Sequence, residues 1–170
     1  MQVKVLGVDP GLRHTGLAIL DAKGKVLDHT TLLYPEEGKH PTEAYLRFIL
    51  PLVATYTRCF EPTAAAVEQV GWYRRAVRIT LPLSHVAGAL VGLLYAAGLD
   101  VFLLMGNMKE KGKRPPRGWD EHQLDAALLA KRVLTALRAG DADERSAAVL
   151  ARRITTPPPV PGRTTRRRKG

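Results

Sequence analysis

Three stretches of this chain carry acidic groups where an element of secondary structure would deliver them to one place. Asp9 closes the apolar run Val5-Leu6-Gly7-Val8. Glu68 closes Ala64-Ala65-Ala66-Val67. The run Asp120-Glu121-His122-Gln123-Leu124-Asp125 opens a helical segment. On a helix His122 and Asp125 are i, i+3 neighbours and Glu121 and Asp125 are i, i+4, so two of them can face one point. Carboxylates brought together repel one another unless a divalent cation lies among them. Oxygen donors with one imidazole suit Mg²⁺ or Mn²⁺. Zinc is a poor match, because the chain has no paired Cys or His. Asp9 alone has a second reading. It opens a Pro10-Gly11 turn, where Asp is favoured for hydrogen bonding to its own backbone. Against that, an unpaired ion at the end of a buried strand is costly to desolvate.

The elements that must hold these groups follow from periodicity. The Asp9 turn leads into a strand over Thr15–Leu20, and Lys23-Gly24 predicts a hairpin into a third strand over Lys25–Tyr34. Pro41 suits the first position of a helix. Tyr45, Phe48, Ile49, Leu52, Val53 and Tyr56 then recur on one helical face, with Pro51 expected to kink it and Glu61-Pro62 to end it. The alanine-rich segment to Glu68 is ambiguous by propensity. We read it as a central strand whose small side chains let helices approach both faces. Gln69 to Arg78 reads as a loop, followed by a helix to about Ala97 with Ser84, Gly88 and Gly92 at close-contact spacing. Gly98 caps that helix, and Leu99–Leu104 reads as a fifth strand. Met105 to Gly118 is a basic loop, Trp119 to Arg138 a helix, Asp141 to Ile154 a short helix, and Pro157 onward a disordered tail. The order β-β-β-α-β-α-β-α is a mixed α/β layout.

Composition bounds the partners. A chain of 170 residues reads as one domain, and its net charge of +10 and pI near 10.1 are strongly basic. Five of the charges lie in the tail, at Arg163, Arg166, Arg167, Arg168 and Lys169, and the remainder still carries +5. That favours a polyanion, with nucleic acid ahead of a membrane surface. The lone Cys59 excludes an internal disulfide and reads as a small buried apolar residue. No signal peptide is expected. The apolar stretch Val86 to Leu99 is too short for a bilayer span, so we expect no membrane partner and a cytoplasmic location.

Taken in order, Gly7-Val8-Asp9-Pro10-Gly11 with Thr15-Gly16, then Ala66-Val67-Glu68-Gln69-Val70, then His122-x-x-Asp125-Ala126 resemble the RuvC family of Holliday junction resolvases. That family lies within the RNase H-like (retroviral integrase) superfamily. The resemblance covers roughly residues 3–137. It implies an RNase H-like mixed five-stranded sheet, its first three strands antiparallel, flanked by helices. It implies a nuclease domain over residues 1–155 and a basic tail over 156–170. It further implies four metal ligands, Asp9, Glu68, His122 and Asp125, with Asp120 and Glu121 as possible substitutes. The implied cofactor is Mg²⁺, with Mn²⁺ able to replace it, as two ions about 3.5–4 Å apart. The implied activity is paired nicking of branched DNA by a homodimer, leaving 5′-phosphate and 3′-hydroxyl ends. His122 would serve as ligand or as proton acceptor.

Two departures from the family pattern stand out. The family places an aromatic directly after Glu-Gln-Val, and here Gly71 precedes Trp72 and Tyr73. With Arg74, Arg75 and Arg78 these form an expected base-stacking wedge. The stretch from Leu104 to Asp125 is shorter than usual in the family and carries Lys109, Lys111, Lys113, Arg114 and Arg117, an expected phosphate-contact surface. Arg13, beside Asp9, is a further candidate phosphate contact, and His14 in the same turn could approach DNA. His29, His40 and His85 read as structural or exposed. Besides junction resolution, the residues admit an RNase H-like nuclease for flap or RNA-containing substrates, or a silent junction-binding module. A sugar-kinase-like ATPase would need far more chain.

Overall fold

The computed structural model describes residues 3–35, 42–70, 77–105 and 114–139, with the side chains of residues 77, 78 and 105 excepted. Strands β1 (Lys4–Asp9), β2 (His14–Asp21) and β3 (Val26–Leu33) come first. Helix α1 (Thr42–Phe60), strand β4 (Ala64–Gln69), helix α2 (Val77–Ala96), strand β5 (Asp100–Met105) and helix α3 (Glu121–Ala139) follow. The strands form one sheet in the order β3-β2-β1-β4-β5. β1, β2 and β3 pair antiparallel, whereas β1–β4 and β4–β5 pair parallel. The mixed five-stranded sheet read from the sequence is therefore the one observed. The expected short helix at 141–154 and the tail lie outside the described residues.

Turn chemistry explains the hairpins. Asp21 Oδ1 accepts hydrogen bonds from the Lys23 and Lys25 amides at 2.8 and 2.9 Å, and Gly24 takes φ +84°. These bonds, the one from Lys25 foremost, hold the Asp21 carboxyl below its ordinary value against the opposing pull of desolvation. Helix α1 runs unbroken past Pro51 and ends where Glu61 turns left-handed before Pro62.

The sheet separates two cores. On one face Leu6, Val8, Leu17, Ile19, Ala65, Val67 and Val101 pack against Tyr45, Ile49 and Val53 of α1 and Val86, Leu90 and Leu94 of α2. On the other, Val5, Ala18, Leu20, Ala64, Ala66, Phe102 and Leu104 pack, among the described residues, against α3 and the preceding Trp119. Alternation along a strand makes this division unavoidable once the register is set. The alanines of β4 do what small residues at a sheet centre allow, since Ala64 and Ala66 face α3 while Ala65 faces α1 and α2.

Two expectations are corrected. Cys59 is exposed, because it falls on the outer side of α1, away from the buried stripe of Tyr45, Ile49, Val53 and Thr57. The apolar stretch of α2 is also longer than Val86–Leu99. Ile79–Ala96 has mean hydropathy 1.6 over 18 residues and could cross a bilayer by length and composition. Here Val86, Leu90 and Leu94 of that helix are fully buried on the sheet.

Candidate active site

The parallel pairing of β1 and β4 aligns Val5 with Ala64, Leu6 with Ala65, Gly7 with Ala66 and Val8 with Val67. One step beyond the last pair lie Asp9 and Glu68, side by side at the C-terminal tips of neighbouring strands. Asp9 shares its face with Val5 and Gly7, and Glu68 with Ala64 and Ala66, which is the face covered by α3. Sequence reasoning would bring these acids together only if the two strands were neighbours, and the register shows that they are.

Helix α3 brings its own polar groups over that end because two glycines let its backbone reach the sheet. A Cβ added to Gly7 would stand 1.8 Å from the carbonyl oxygen of Ala126, and one added to Gly16 would stand 2.1 Å from the carbonyl oxygen of His122. Gly16 is the antiparallel partner of Asp9. The first turn of α3 therefore rests directly on the strand pair that bears Asp9. His122 Nδ1 lies 2.7 Å from Asp9 Oδ2. The Asp9 side chain is 5% exposed and that of His122 39%. An ionised carboxylate only accepts hydrogen bonds, so with Asp9 ionised Nδ1 of His122 is the donor of this contact. Asp125, one turn on, is half-buried.

Asp120, left open as a substitute ligand, has a different task. It stands immediately before α3, and its Oδ1 accepts from the Gln123 amide at 2.8 Å. The Asp120 amide in turn donates to Gln123 Oε1 at 3.3 Å. That is a reciprocal helix cap. Thr31 of β3 donates to the remaining carboxylate oxygen at 2.5 Å. Desolvation raises the Asp120 pKa, but the Thr31 hydroxyl, the Gln123 amide and nearby His122 outweigh it and hold the group below its ordinary value. His29 of β3 completes the attachment. Its Nδ1 lies 3.0 Å from Gln123 Oε1, and its ring packs on Trp119 with centroids 3.9 Å apart. Glu121 is exposed. The start of α3 is thus held by β3 on one side and by Asp9 on the other. The Asp-x-x-Gln spacing was a signal for the cap that sequence reasoning passed over.

The remaining candidates divide. Arg13 lies in the turn between β1 and β2, where its carbonyl accepts from the Tyr34 amide at 2.9 Å. Its Nε is buried without a hydrogen-bond partner among the described residues. Arg114 and Arg117 are exposed on the segment that leads into α3. Trp72, Tyr73, Arg74, Arg75, Lys109, Lys111 and Lys113, with the side chain of Arg78, lie outside the described residues, as does His40. His85 is exposed and His29 structural, as expected. His14 was placed only in the turn; it stacks on His122 with centroids 5.3 Å apart and ring planes 8° from parallel. Alternation from Gly16 back to His14 puts both on the α3 face, a signal present in the sequence. An open cleft of about 220 Å³ adjoins Glu68, lined by Gln69, Val70, Leu103 and the Ser84, Ala87, Gly88 and Val91 side of α2.

Whether this end of the sheet suits a metal can be judged from its donors. Asp9 and Glu68 share one face and one end, His122 reaches Asp9, and Asp125 follows three residues later on α3; an oxygen-rich set with one imidazole is the donor chemistry of a hard divalent cation. Asp9 and His122 currently direct their nearest atoms at each other. Among the described residues no three such side chains close on a common point.

A β3-β2-β1-β4-β5 sheet with acids on adjacent parallel tips beneath a helix bearing His and Asp defines a chain of the RNase H-like fold. The family described as "Crossover junction endodeoxyribonuclease RuvC" matches residues 5–109. The chain belongs to the RuvC family. Curated relatives include the RuvC crossover junction endodeoxyribonucleases of Methylobacterium radiotolerans, 29% identical over 110 residues (64% of this chain, 53% of that protein), and of Bordetella avium, 34% identical over 102 residues (58% and 55%). The chain spans about half the length of the curated relatives it matches. Among solved structures, Thermus thermophilus RuvC in complex with a Holliday junction substrate superposes with a TM-score of 0.69 at 22% identity. That match covers 81% of this chain and 96% of that one. At that identity the likeness is one of fold.

Proposed function

We propose that this chain is a metal-dependent endonuclease that resolves Holliday (four-way) DNA junctions by paired nicks, leaving 5′-phosphate and 3′-hydroxyl ends. The observation that carries the reading is the placement of Asp9 and Glu68 on adjacent strand tips under His122 and Asp125, in a chain of the RuvC family. These four residues are the proposed ligands of two Mg²⁺ ions, with Mn²⁺ as a substitute. Bound there, such ions would polarise the scissile phosphate and make a water nucleophilic at neutral pH. The chain's own contribution is placement. β1 and β4 fix two carboxylates, the Gly7 and Gly16 contacts set the height of α3, and the Asp120 cap fixes where that helix begins. With Asp9 ionised and Nδ1 of His122 donating to it, Nε2 is the ring atom that would bind an ion or accept a proton from water.

The substrate reading rests on charge. Arg13, Arg114 and Arg117, with Trp72, Tyr73, Arg74, Arg75, Arg78, Lys109, Lys111 and Lys113, are the proposed DNA contacts. Their basic groups would act on phosphates and the two aromatics on exposed bases. A DNA substrate places the protein in the cytoplasm. The proposed assembly is a homodimer through α2. Only 28% of Ile79–Ala96 is buried, and a Cβ on Gly88 or Gly92 meets nothing within 4 Å. These small residues therefore serve no contact within the described chain, whereas a second helix could approach closely there.

The test is cleavage of a synthetic four-way junction beside flap, duplex and RNA–DNA substrates in Mg²⁺ or Mn²⁺. Preferential, symmetric cutting of the junction is expected. Preference for a flap or RNA–DNA hybrid would move the reading to another nuclease, and binding without cutting would leave a silent module. Asp9→Asn should lower cleavage at least 10³-fold, as loss of a ligand in a phosphoryl-transfer site does, while junction binding persists. Light scattering should report a dimer for the wild type and a monomer for Gly88→Arg.

A further inference from the structure

His14 is an imidazole at the site that the proposed ligand set leaves unused. It opens β2 on the face covered by α3, two residues before Gly16, the antiparallel partner of Asp9. The Tyr34 amide donates to the carbonyl of the preceding Arg13 at 2.9 Å and pins the backbone there. The His14 ring stacks on that of His122, with centroids 5.3 Å apart and planes 8° from parallel. His122 in turn sets Nδ1 2.7 Å from Asp9 Oδ2. Asp9, His122 and His14 thus stand in contact, one after the next, at the end of the sheet. His14 is half-buried, and among the described residues its ring nitrogens make no hydrogen bond. A neutral imidazole always carries one N–H, so the ring offers a donor without any change of charge. Parallel rings at this spacing present neighbouring edges, and an N–H···O bond spans about 2.9 Å. A phosphate that touches the His122 edge with one oxygen therefore has another within reach of the His14 edge. The site is rich in carboxylates, and a phosphate entering it gains from every donor that is not itself an acid.

We propose that His14 is a substrate contact whose ring N–H donates to a non-bridging oxygen of the scissile phosphate. The inference rests on the reading of the chain as a nuclease that works at Asp9 and Glu68. It assigns His14 no metal ion and no proton transfer. What His14 contributes is a hydrogen-bond donor, and this separates the proposal from a packing role for its ring.

The experiment begins by mapping the cut on a synthetic four-way junction with the full chain in Mg²⁺. Junction binding is then measured in Ca²⁺, a larger ion that also takes oxygen ligands, with the strands sized afterwards so that only uncut complexes count. One junction carries a methylphosphonate at the scissile phosphate, where a methyl group replaces a non-bridging oxygen. A second carries it one nucleotide away. For one of the two diastereomers, the scissile methylphosphonate should weaken wild-type binding about tenfold more than it weakens His14→Phe binding. That is the scale of one hydrogen bond to a charged group. His14→Ala should match His14→Phe, because both lack the N–H although only Phe keeps a flat ring against His122. The neighbouring methylphosphonate should weaken all three proteins equally. Equal losses at the scissile position in wild type and variants overturn the proposal, as does a difference that appears only at the neighbouring phosphate. A His14→Phe protein that responds like wild type overturns it too, since the surface of the ring and not its N–H would then be what the site uses. Thermal unfolding reports whether each variant keeps its fold, and loss of the fold in both would assign His14 to the core instead. If wild type does not cut the unmodified junction in Mg²⁺, the nuclease reading fails first. If it cuts and the modified junctions show no difference, this proposal alone fails.

Discussion

The two faces of the sheet are built on different principles. The face toward α1 and α2 is a conventional core, in which large side chains such as Leu6, Leu17, Ile19, Tyr45 and Ile49 interlock and none is measurably exposed. A polar pair within it, the Thr15 and Tyr45 hydroxyls at 2.8 Å, is buried and satisfied, and burial pushes the Tyr45 phenol up to about 12. The face toward α3 brings backbone against backbone, with Gly7 and Gly16 beneath the carbonyls of Ala126 and His122. Side chains that interlock have rotamers with which to relax, whereas a helix resting on bare glycines has none. The polar groups lie where the geometry is least forgiving, and that is where placement to a fraction of an ångström matters for chemistry.

If the contrast is real, the same small change should do very different things on the two sides. Gly7→Ala should have the largest effect, because the new Cβ would meet main-chain atoms that cannot step aside. We expect a loss of about 3 kcal/mol or more, or failure to fold, in denaturant melts. Ile49→Ala on the far face should cost about 2–5 kcal/mol, yet cleavage per folded molecule should stay near wild type. A proportionate loss of cleavage would mean that the α1 face also sets the site. Thr31→Val removes the bond to Asp120 and should cost about 1 kcal/mol. Because both Asp120 carboxylate oxygens are engaged in capping α3 and in the bond from Thr31, the Mn²⁺ affinity of Thr31→Val should fall by less than that of Asp125→Ala. Gly88→Ala, on the outer side of α2, should be neutral or stabilise the monomer by about 0.5–1 kcal/mol.

The smallest expected effect is one of pH. A carboxyl whose folded pKa is lowered adds stability at pH values above its unfolded pKa, and that stability is lost as pH falls through the folded value. For Asp120 the window opens near its reference value of 3.8 and extends below it. Thermal melts of Asp120→Asn, which keeps a capping side chain, should depend less on pH there than those of wild type. An identical slope would sink the cap assignment.

Much of the site could be read before any coordinates. Asp9 stands where its sequence put it: Pro10-Gly11 follows it as the turn, and the carboxylate is left at the tip of β1. Glu68 was legible because the short alanine run after a helix-ending proline, ambiguous by propensity, was read as a central strand, which is what β4 is. The span of α2 was simply bounded too narrowly in the sequence, whereas Cys59 was misjudged for a structural reason. Periodicity tells which residues can share a face, but what covers that face depends on the neighbours that pack there. Asp120 shows the same limit from the other side. An acid at the head of a helix is equally apt as cap or as ligand, and the choice fell to Thr31, a residue 89 positions away.

By itself the sequence determined the strands, the turn, the order of acid-bearing segments and the basic character of the chain. These depend on local rules of alternation, capping and charge. Only the tertiary structure decided that Asp9 and Glu68 sit one strand apart, that Gly7 and Gly16 are the seats of α3, and that His14 lies flat against His122. Those facts depend on strand order and on backbone approach between segments more than a hundred residues apart, which no local rule encodes.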